Sequence, residues 1–535
     1  MTLLDNLQQR AQSHLKTEET PVSHWWIWFA GITILGTIMR FWDLGKAPIW
    51  MDEAVTLAFA ELDWGAILWG NIDNHPSFTW VMQKLWYSIN PDPSAARVPV
   101  ALFGSMSVAA ILLAARDLVS TRAAIFAGAL FAVGTAHIYY SQDARMYPYL
   151  VFGLILALWG SAGLVRPNLY RPRLYMGLYV MGGTIAIYSH AIGLIAMALI
   201  GFGGFAAGIA NSDRIEYAKT WLLKNVILFV LVLPWLIALP GASGTFPGLS
   251  GDTSLTDIHW FYRNATGFPG LDSLNLPFEA IYYGLAALSV PIAWMSNRKA
   301  LAYILAGLIV LFPIIMLIMH IRQPIMVNRI FLPSIIGVVL GVGYTLSRLK
   351  PTTVMTAIAS VLVLVGFTSS VIEQTHRVKS EDYRGAYEYA TAQGAGDAPV
   401  VTCVHFQTAA AWENRPTGRH LYYRGGSILD YQGREYWQAA KMSMTKLRAA
   451  KAPEIDAALG GGWLIEGGFE TALEDEDQVL FIRPFCADGR EEEIDAALEA
   501  LGFTEGPEIT ITGDAADYII LERPQTRITI YDRSN

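Results

Sequence analysis

The chain has 535 residues, of which 53% are hydrophobic and only 16% are charged. A mean hydropathy of +0.35 excludes an ordinary water-soluble enzyme of this length, so most of the chain is expected to lie in lipid. The formal charge of −8 indicates no particular partner, because the acidic residues gather near the C-terminus, for example at 474–477 and 491–493.

The N-terminal segment, residues 1–24, is polar and lacks the apolar core of a cleavable signal peptide, so it is predicted to be cytoplasmic. Apolar runs long enough to cross a bilayer follow, about eleven in all. They lie near residues 25–42, 98–117, 123–140, 146–165, 174–190, 191–210, 222–239, 279–295, 300–319, 330–347 and 354–372. The sequence therefore predicts a polytopic α-helical membrane protein, with its membrane domain over residues 25–372.

The loops between these runs indicate which way the chain faces. With the N-terminus inside, every loop that becomes cytoplasmic is basic, as the positive-inside rule requires. The segment from His75 to Asn90 must then not cross, and its short length and its Trp and Tyr content favour a helix lying in the membrane interface. An odd number of spans places residues 373–535 outside the cytoplasm, together with the loop 43–97.

The first candidate site residues lie in this loop. Asp52 and Glu53 form an acidic pair about ten residues beyond the first span, flanked by aromatic residues. His75 stands just before the interfacial helix. The alternative for the acidic pair is a solvated surface loop without chemistry, because exposed carboxylates usually have no other role.

A second group stands at the outer end of the third span. Asp143, Arg145 and Tyr147 lie within five residues of one another, at a depth where ionisable side chains are costly and tend to mark a site. The alternative is that Arg145 reaches the lipid headgroups and binds no substrate.

Arg329 opens a late span on the outer side, where positive charge is otherwise sparse. Its forked guanidinium suits a phosphate group. No tight His or Cys spacing supports a metal site for His190, His259 or His320, so no metal ligand is predicted. A divalent cation held by carboxylate and substrate phosphate stays an alternative, because such an ion leaves little trace in a sequence.

Together these residues resemble a family, the membrane glycosyltransferases of the C fold that include protein O-mannosyltransferases and the aminoarabinose transferase of lipid A. The resemblance covers most of the membrane part, and residues 381–386, EDYRGA, are similar to the segment that follows the last span in many bacterial relatives. The matching places are Asp52-Glu53, His75-Pro76-Ser77, the turn from Ser141 to Tyr147, and Arg329 to Pro333.

The resemblance implies an inverting glycosyltransferase that takes a monosaccharide from a polyprenyl-phosphate donor outside the cytoplasm, in a bacterial inner or plasma membrane. Asp52 is expected to be the general base, and Asp143 to orient the acceptor or an arginine. The implied donor-phosphate and substrate-binding residues are Glu53, His75, Arg145, Tyr147 and Arg329. The acceptor is a lipid, a glycan or a protein, and no nucleic-acid partner is expected.

The C-terminal segment, residues 373–535, reads as a small α/β domain. A helix is predicted from Glu381, another over 491–501, and strands at 399–404, 463–465, 479–482 and 518–521. No nucleophile or phosphate-loop motif occurs, which favours a lid, a docking module or an assembly module. Cys403 and Cys486 could pair or remain two buried thiols.

Two other function classes remain open. A transporter or flippase of a lipid-linked substrate also needs many spans and basic residues near phosphate, although the sequence shows no repeated, broken halves. A non-catalytic scaffold of an envelope complex predicts that neutral replacement of Asp52 changes nothing.

Overall fold

The structure is a computed structural model, and it describes most of the chain. The described residues are 22–69, 75–165, 171–209, 214–238, 254–268, 275–322, 325–375, 381–431, 433, 462–483, 486, 489–511 and 526–534. The predicted N-terminal segment and the predicted strand at 518–521 lie outside them, apart from residues 22–24.

Helices dominate the described residues. In chain order they are α1 Trp25–Phe41, α2 Met51–Glu61, α3 Trp64–Trp69, α4 Phe78–Tyr87, α5 Val98–Leu118, α6 Thr121–Ala132, α7 Thr135–Ser141, α8 Tyr147–Leu164, α9 Pro172–Ser189, α10 Ile192–Ile209, α11 Arg214–Ala238, α12 Leu255–Thr266, α13 Asn275–Met295, α14 Lys299–Ala306, α15 Phe312–Arg322, α16 Leu332–Arg348, α17 Thr352–Thr375, α18 Tyr383–Ala392, α19 His405–Asn414, α20 Gly468–Ala472 and α21 Arg490–Ala500. Short 3₁₀ turns cover Pro93–Arg97 and Asn328–Phe331, and a π turn, Gly307–Leu311, joins α14 to α15.

Each predicted apolar run coincides with helices between α1 and α17. Within the described residues, eight helical stretches are long and apolar enough to cross a bilayer, or nine when α6 and α7 are counted as one bent span. Helix α1 is apolar but has only 17 residues. The polytopic helical membrane fold is therefore confirmed, whereas the predicted number of eleven spans is not.

The third predicted span, 123–140, is bent by 58° between α6 and α7. Such a break leaves backbone carbonyl groups without helical partners, which is costly in lipid. The buried Arg40 guanidinium donates to the carbonyl oxygens of Phe131 at 3.2 Å and Ala132 at 3.1 Å. The Ser370 hydroxyl donates to the carbonyl oxygen of Val133 at 2.8 Å. These donors bind carbonyl groups at the break, so side chains from α1 and α17 stabilise the bend.

The described residues cluster into two compact units. The membrane unit takes its residues from within Met1–Trp42, Val98–Pro240 and Thr245–Gln374. The sheet unit takes its residues from within Asp43–Arg97 and Thr375–Asn535. The loop after α1, which sequence reasoning assigns to the membrane domain, thus packs with the C-terminal residues.

The sheet unit is built on eight described strands. They are β1 Val400–Thr402, β2 His420–Tyr423, β3 Ile428–Asp430, β4 Leu464–Ile465, β5 Gln478–Arg483, β6 Phe503–Glu505, β7 Ile509–Ile511 and β8 Thr526–Arg533. The strand order is β4-β3-β2-β1-β5-β8-β6, and β7 also pairs with β8. Strand β1 runs parallel to β2 and β5, and the other pairs are antiparallel.

Helices α18, α19 and α21 accompany this sheet, which confirms the predicted small α/β fold. Buried side chains such as Val401, Leu421 and Phe481 form its core. Cys403 lies in that core and is disulfide-bonded to Cys486, with 5.6 Å between their Cα atoms. The structure therefore selects the paired alternative for the two cysteines.

Helices α2, α3 and α4 also belong to the sheet unit. Helix α4 has 10 residues, far fewer than the roughly 20 that a span needs. Trp80 of α4 meets Phe59 of α2 edge to face, with 5.2 Å between ring centroids. The Lys84 ammonium donates to the carbonyl oxygen of Leu62 just after α2, so α4 is held against α2 at both positions.

Candidate active site

The acidic pair lies in the first turn of α2, after Trp50 in extended conformation. Glu53 is fully buried, and Arg97 donates to both of its carboxylate oxygens, from Nε and Nη2 at 2.7 Å each. Asp52 is half-buried. The two neighbouring acids therefore have different surroundings, and Glu53 is bound to an arginine on both oxygens.

Arg97 does more than neutralise Glu53. Its two terminal nitrogens also donate to the carbonyl oxygens of Leu44 at 3.0 Å, Ala47 at 2.9 Å and Pro48 at 2.9 Å. A guanidinium has five N–H donors, and all five are accounted for by these contacts. Arg97 thus fixes the loop that precedes α2, and the arrangement favours a positioning role for Glu53 over direct contact with substrate.

His75 is partly buried and lies in the same unit, ahead of α4. Ser77 stands at the N-terminus of α4, and its carbonyl oxygen accepts the Val81 N–H at 3.0 Å. Residues 73 and 74, next to His75 in the sequence, lie outside the described residues. The sheet unit thus contains Asp52, Glu53 and His75 of the predicted site.

The membrane unit contains the remaining predicted residues. Asp143 and Arg145 stand in the turn between α7 and α8, with exposed fractions of 0% and 5%, and Tyr147 begins α8. The backbone N–H of Arg145 donates to the backbone carbonyl oxygen of Asp143 at 2.6 Å. Two ionisable side chains buried in one turn of a membrane protein are costly, which favours a functional role.

This turn is anchored to the end of α1. The buried Gln142 side-chain amide donates to the carbonyl oxygens of Met39 at 3.2 Å, Arg40 at 3.1 Å and Trp42 at 2.9 Å. These are carbonyl groups that the end of a helix leaves without intrahelical partners. Gln142 therefore satisfies the C-terminus of α1 and sets the position of the neighbouring Asp143 and Arg145.

Arg329 lies half-buried in the 3₁₀ turn Asn328–Phe331, which leads into α16. The side chains of Arg329 and Arg145 both lie close enough to the His190 ring for their charges to act on it. The ring of His190 also lies 5.9 Å from that of Tyr147. The structure therefore brings together Arg145, Tyr147 and Arg329, and it adds a histidine between α9 and α10.

The orientation of His190 follows from one backbone contact. Its Nδ1 accepts the Ile192 N–H at 3.2 Å, so in the neutral ring Nε2 carries the proton and is a donor. Two guanidinium groups and one N–H donor form a cluster suited to an anion. We call Arg145, His190 and Arg329 the cationic cluster.

Sequence reasoning missed Arg97 and His190 as site residues. Arg97 had one detectable signal, because it stands at the end of an apolar run, where a charge needs a partner. A lone histidine between two apolar runs has no such signal. Its relation to Arg145 and Arg329 depends on segments far apart in the chain.

No group of three or more His, Cys, Asp or Glu suited to a metal ion occurs among the described residues. This finding covers only metal sites that are formed entirely by protein side chains. An ion shared with a substrate phosphate needs only one or two carboxylates.

No protein-family model and no curated protein matches the chain. Solved structures do resemble it. The crystal structure of ArnT from Cupriavidus metallidurans in the apo state has a TM-score of 0.59 and 13% identity, over 95% of this chain and 97% of that chain. The same protein bound to undecaprenyl phosphate gives 0.55 and 12%, over 95% and 98%.

A third similar structure is the archaeal oligosaccharyltransferase AglB from Archaeoglobus fulgidus, in complex with an inhibitory peptide and a dolichol-phosphate. Its TM-score is 0.51 at 11% identity, over 73% of this chain and 63% of that chain. At such identities a likeness shows the fold. The expected architecture is thereby confirmed, and the chain has the C-type fold of the membrane glycosyltransferases.

Proposed function

We propose that the protein is a glycosyltransferase that moves a monosaccharide from a polyprenyl-phosphate donor to an acceptor hydroxyl, with inversion at the anomeric carbon. The observation that carries this proposal is the cationic cluster of Arg145, His190 and Arg329, which suits a phosphate. Support also comes from two proteins of the same fold whose structures hold undecaprenyl phosphate and a dolichol-phosphate.

The orientation is part of the proposal. The basic loops favour a cytoplasmic N-terminus, which places Asp52 and the sheet unit on the outer side of a bacterial inner membrane. Nucleotide sugars are cytoplasmic, so an enzyme whose acids face outward needs a sugar donor that arrives through the membrane. A polyprenyl-phosphate sugar meets that need.

Asp52 is proposed as the general base. The acceptor oxygen attacks the anomeric carbon as its proton passes to the Asp52 carboxylate. The bond between the anomeric carbon and the phosphate oxygen breaks, and its electron pair leaves with the polyprenyl phosphate. Attack from the side opposite to the leaving group produces the inversion.

The leaving phosphate gains negative charge as this bond breaks. Arg145 and Arg329, with N–H donors from His190 and His75, are proposed to stabilise that charge. Tyr147 is proposed to line the same site, and Asp143 to orient the acceptor or an arginine. Glu53 is proposed to act through Arg97, by holding the loop that carries Asp52 at the geometry that transfer requires.

The test is sugar transfer by the purified protein from a panel of radiolabelled polyprenyl-phosphate monosaccharides, with a membrane extract as acceptor mixture. Asp52→Asn should lower turnover by about 10²- to 10⁴-fold, the usual contribution of a general base. Glu61→Gln is the matched control, because Glu61 ends the same helix. It should turn over like the wild type.

Equal turnover of Asp52→Asn and the wild type overturns the assignment of the base. No transfer from any donor, combined with movement of the lipid-linked sugar across vesicles that contain the protein, supports the transporter alternative instead.

A further inference from the structure

The C-terminal part of the chain holds the backbone of the segment that leads to Asp52. Arg384 donates to the Lys46 carbonyl oxygen at 2.6 Å. The Asn414 side chain donates to the Ile49 carbonyl oxygen at 2.6 Å and accepts the Ile49 N–H at 3.2 Å. These residues follow Ile49 by more than 300 positions, and all of them belong to the sheet unit.

Glu381 contacts the residue directly before the acidic pair. Its side chain is buried, and its Oε2 accepts the backbone N–H of Met51 at 3.1 Å. Met51 is the first residue of α2, where N–H groups lack intrahelical partners. The side chain of Trp50, at the N-cap, does not cap this helix. The helix that carries Asp52 is therefore capped by a carboxyl group from a distant part of the chain.

The protonation of Glu381 also involves Asp52. Burial, with a smaller contribution from the negative charge of Asp52, raises the pKa of Glu381 to about 8, against the hydrogen bond from the Met51 N–H, which lowers it. The groups that face Glu381 are thus Asp52 and the Met51 N–H on α2, and Tyr383 on α18. At neutral pH Glu381 therefore holds its proton and adds no negative charge beside Asp52.

We infer that Glu381 is a positioning residue for Asp52, and that the C-terminal domain belongs to the catalytic machinery because it holds the N-terminus of α2. This inference rests on the proposed role of Asp52 as base. It assigns the C-terminal domain a more specific task than a lid or a docking module. It also gives the EDYRGA segment a physical reason to begin with an acid.

Three variants separate capping from protonation. Glu381→Gln keeps an oxygen that can accept the Met51 N–H but cannot ionise. Glu381→Ala removes the cap. Glu388→Ala is the matched control, because Glu388 is exposed on α18 and lies seven positions later. Each is assayed for kcat and for the KM of the donor between pH 6 and pH 9.5.

The inference predicts that Glu381→Ala lowers kcat at least tenfold at all pH values, with the donor KM little changed. The wild type should lose activity above pH 8, where Glu381 ionises beside Asp52. Glu381→Gln should keep most of its kcat at pH 7 and lose this alkaline decline. Wild-type kcat in Glu381→Ala, or an unchanged alkaline decline in Glu381→Gln, overturns the inference.

A second measurement does not depend on activity. Hydrogen exchange of the full-length protein should be at least tenfold faster at the Met51 amide in Glu381→Ala than in the wild type or Glu388→Ala. If no donor supports transfer but this difference holds, the proposed function fails and the capping by Glu381 stands. If transfer occurs and exchange at Met51 is unchanged, the inference fails alone.

Discussion

The two units contain different kinds of charged residue among those considered for function. In the sheet unit, Asp52, Glu53 and Glu381 are acids, and Arg97 is bound to Glu53 and to backbone carbonyl groups. In the membrane unit, the predicted site residues include two arginines, Arg145 and Arg329, and a single acid, Asp143. Acids thus predominate among these residues in the sheet unit, and arginines among those in the membrane unit.

The largest expected effect comes from Arg97→Ala. It leaves the Glu53 carboxylate buried without its partner, so the free energy of unfolding should fall by about 3–5 kcal/mol. Turnover should fall with it, because the loop before α2 loses its donors. Thermal unfolding of the detergent-solubilised protein measures the loss. The double variant Glu53→Leu/Arg97→Met is the control and should recover much of the stability.

Arg329→Ala should weaken binding of a polyprenyl phosphate by about 10- to 100-fold, because a hydrogen bond to a charged group contributes about 1.5–3 kcal/mol. Ligand-dependent thermal stabilisation measures this affinity. Arg322→Ala, at an exposed arginine that ends α15, is the control. An equal loss of affinity in the two variants would contradict a role for Arg329 in binding the phosphate.

Gln142→Leu tests whether the membrane unit depends on the anchoring of its turn. It removes the donor to three carbonyl groups at the end of α1, so it should cost roughly 1–3 kcal/mol of stability. Donor affinity should fall as well, because Arg145 follows in the same turn. Gln374→Leu is the control. Of the three carbonyl oxygens that Gln142 binds, Gln374 donates only to that of Met39. It should leave donor affinity unchanged.

The last expected effect concerns the pH dependence of stability. Burial raises the pKa of Glu381 from the usual 4.5 to about 8, so between these values the folded protein holds one proton more than the unfolded chain. Wild-type stability therefore falls as pH rises through this window and levels off above it. Glu381→Gln lacks this loss. Thermal unfolding should show that, from pH 5 to pH 8, the stability of the variant rises relative to that of the wild type.

Local sequence patterns determined much of this protein. Runs of apolar residues predicted the positions of the membrane helices, because crossing a bilayer imposes a length and a composition on each segment by itself. The short aromatic segment around Trp80 predicted a helix too short to cross. Alternation of helical and strand patterns predicted the small α/β domain. Arg145 and Arg329 stood out because charge at a membrane boundary is costly, and Asp52 because it follows the first span among aromatic residues.

Only the tertiary structure decided which of these residues have which partners. Glu53 is bound by Arg97 at a distance of 44 positions, and Met51 is capped by Glu381 at a distance of 330. His190 joins Arg145 and Arg329 from a third segment. The bend after α6 depends on a guanidinium from α1. Hydrophobic patterning is a local property of the chain, whereas the pairing of buried charges depends on which distant segments the fold brings into contact.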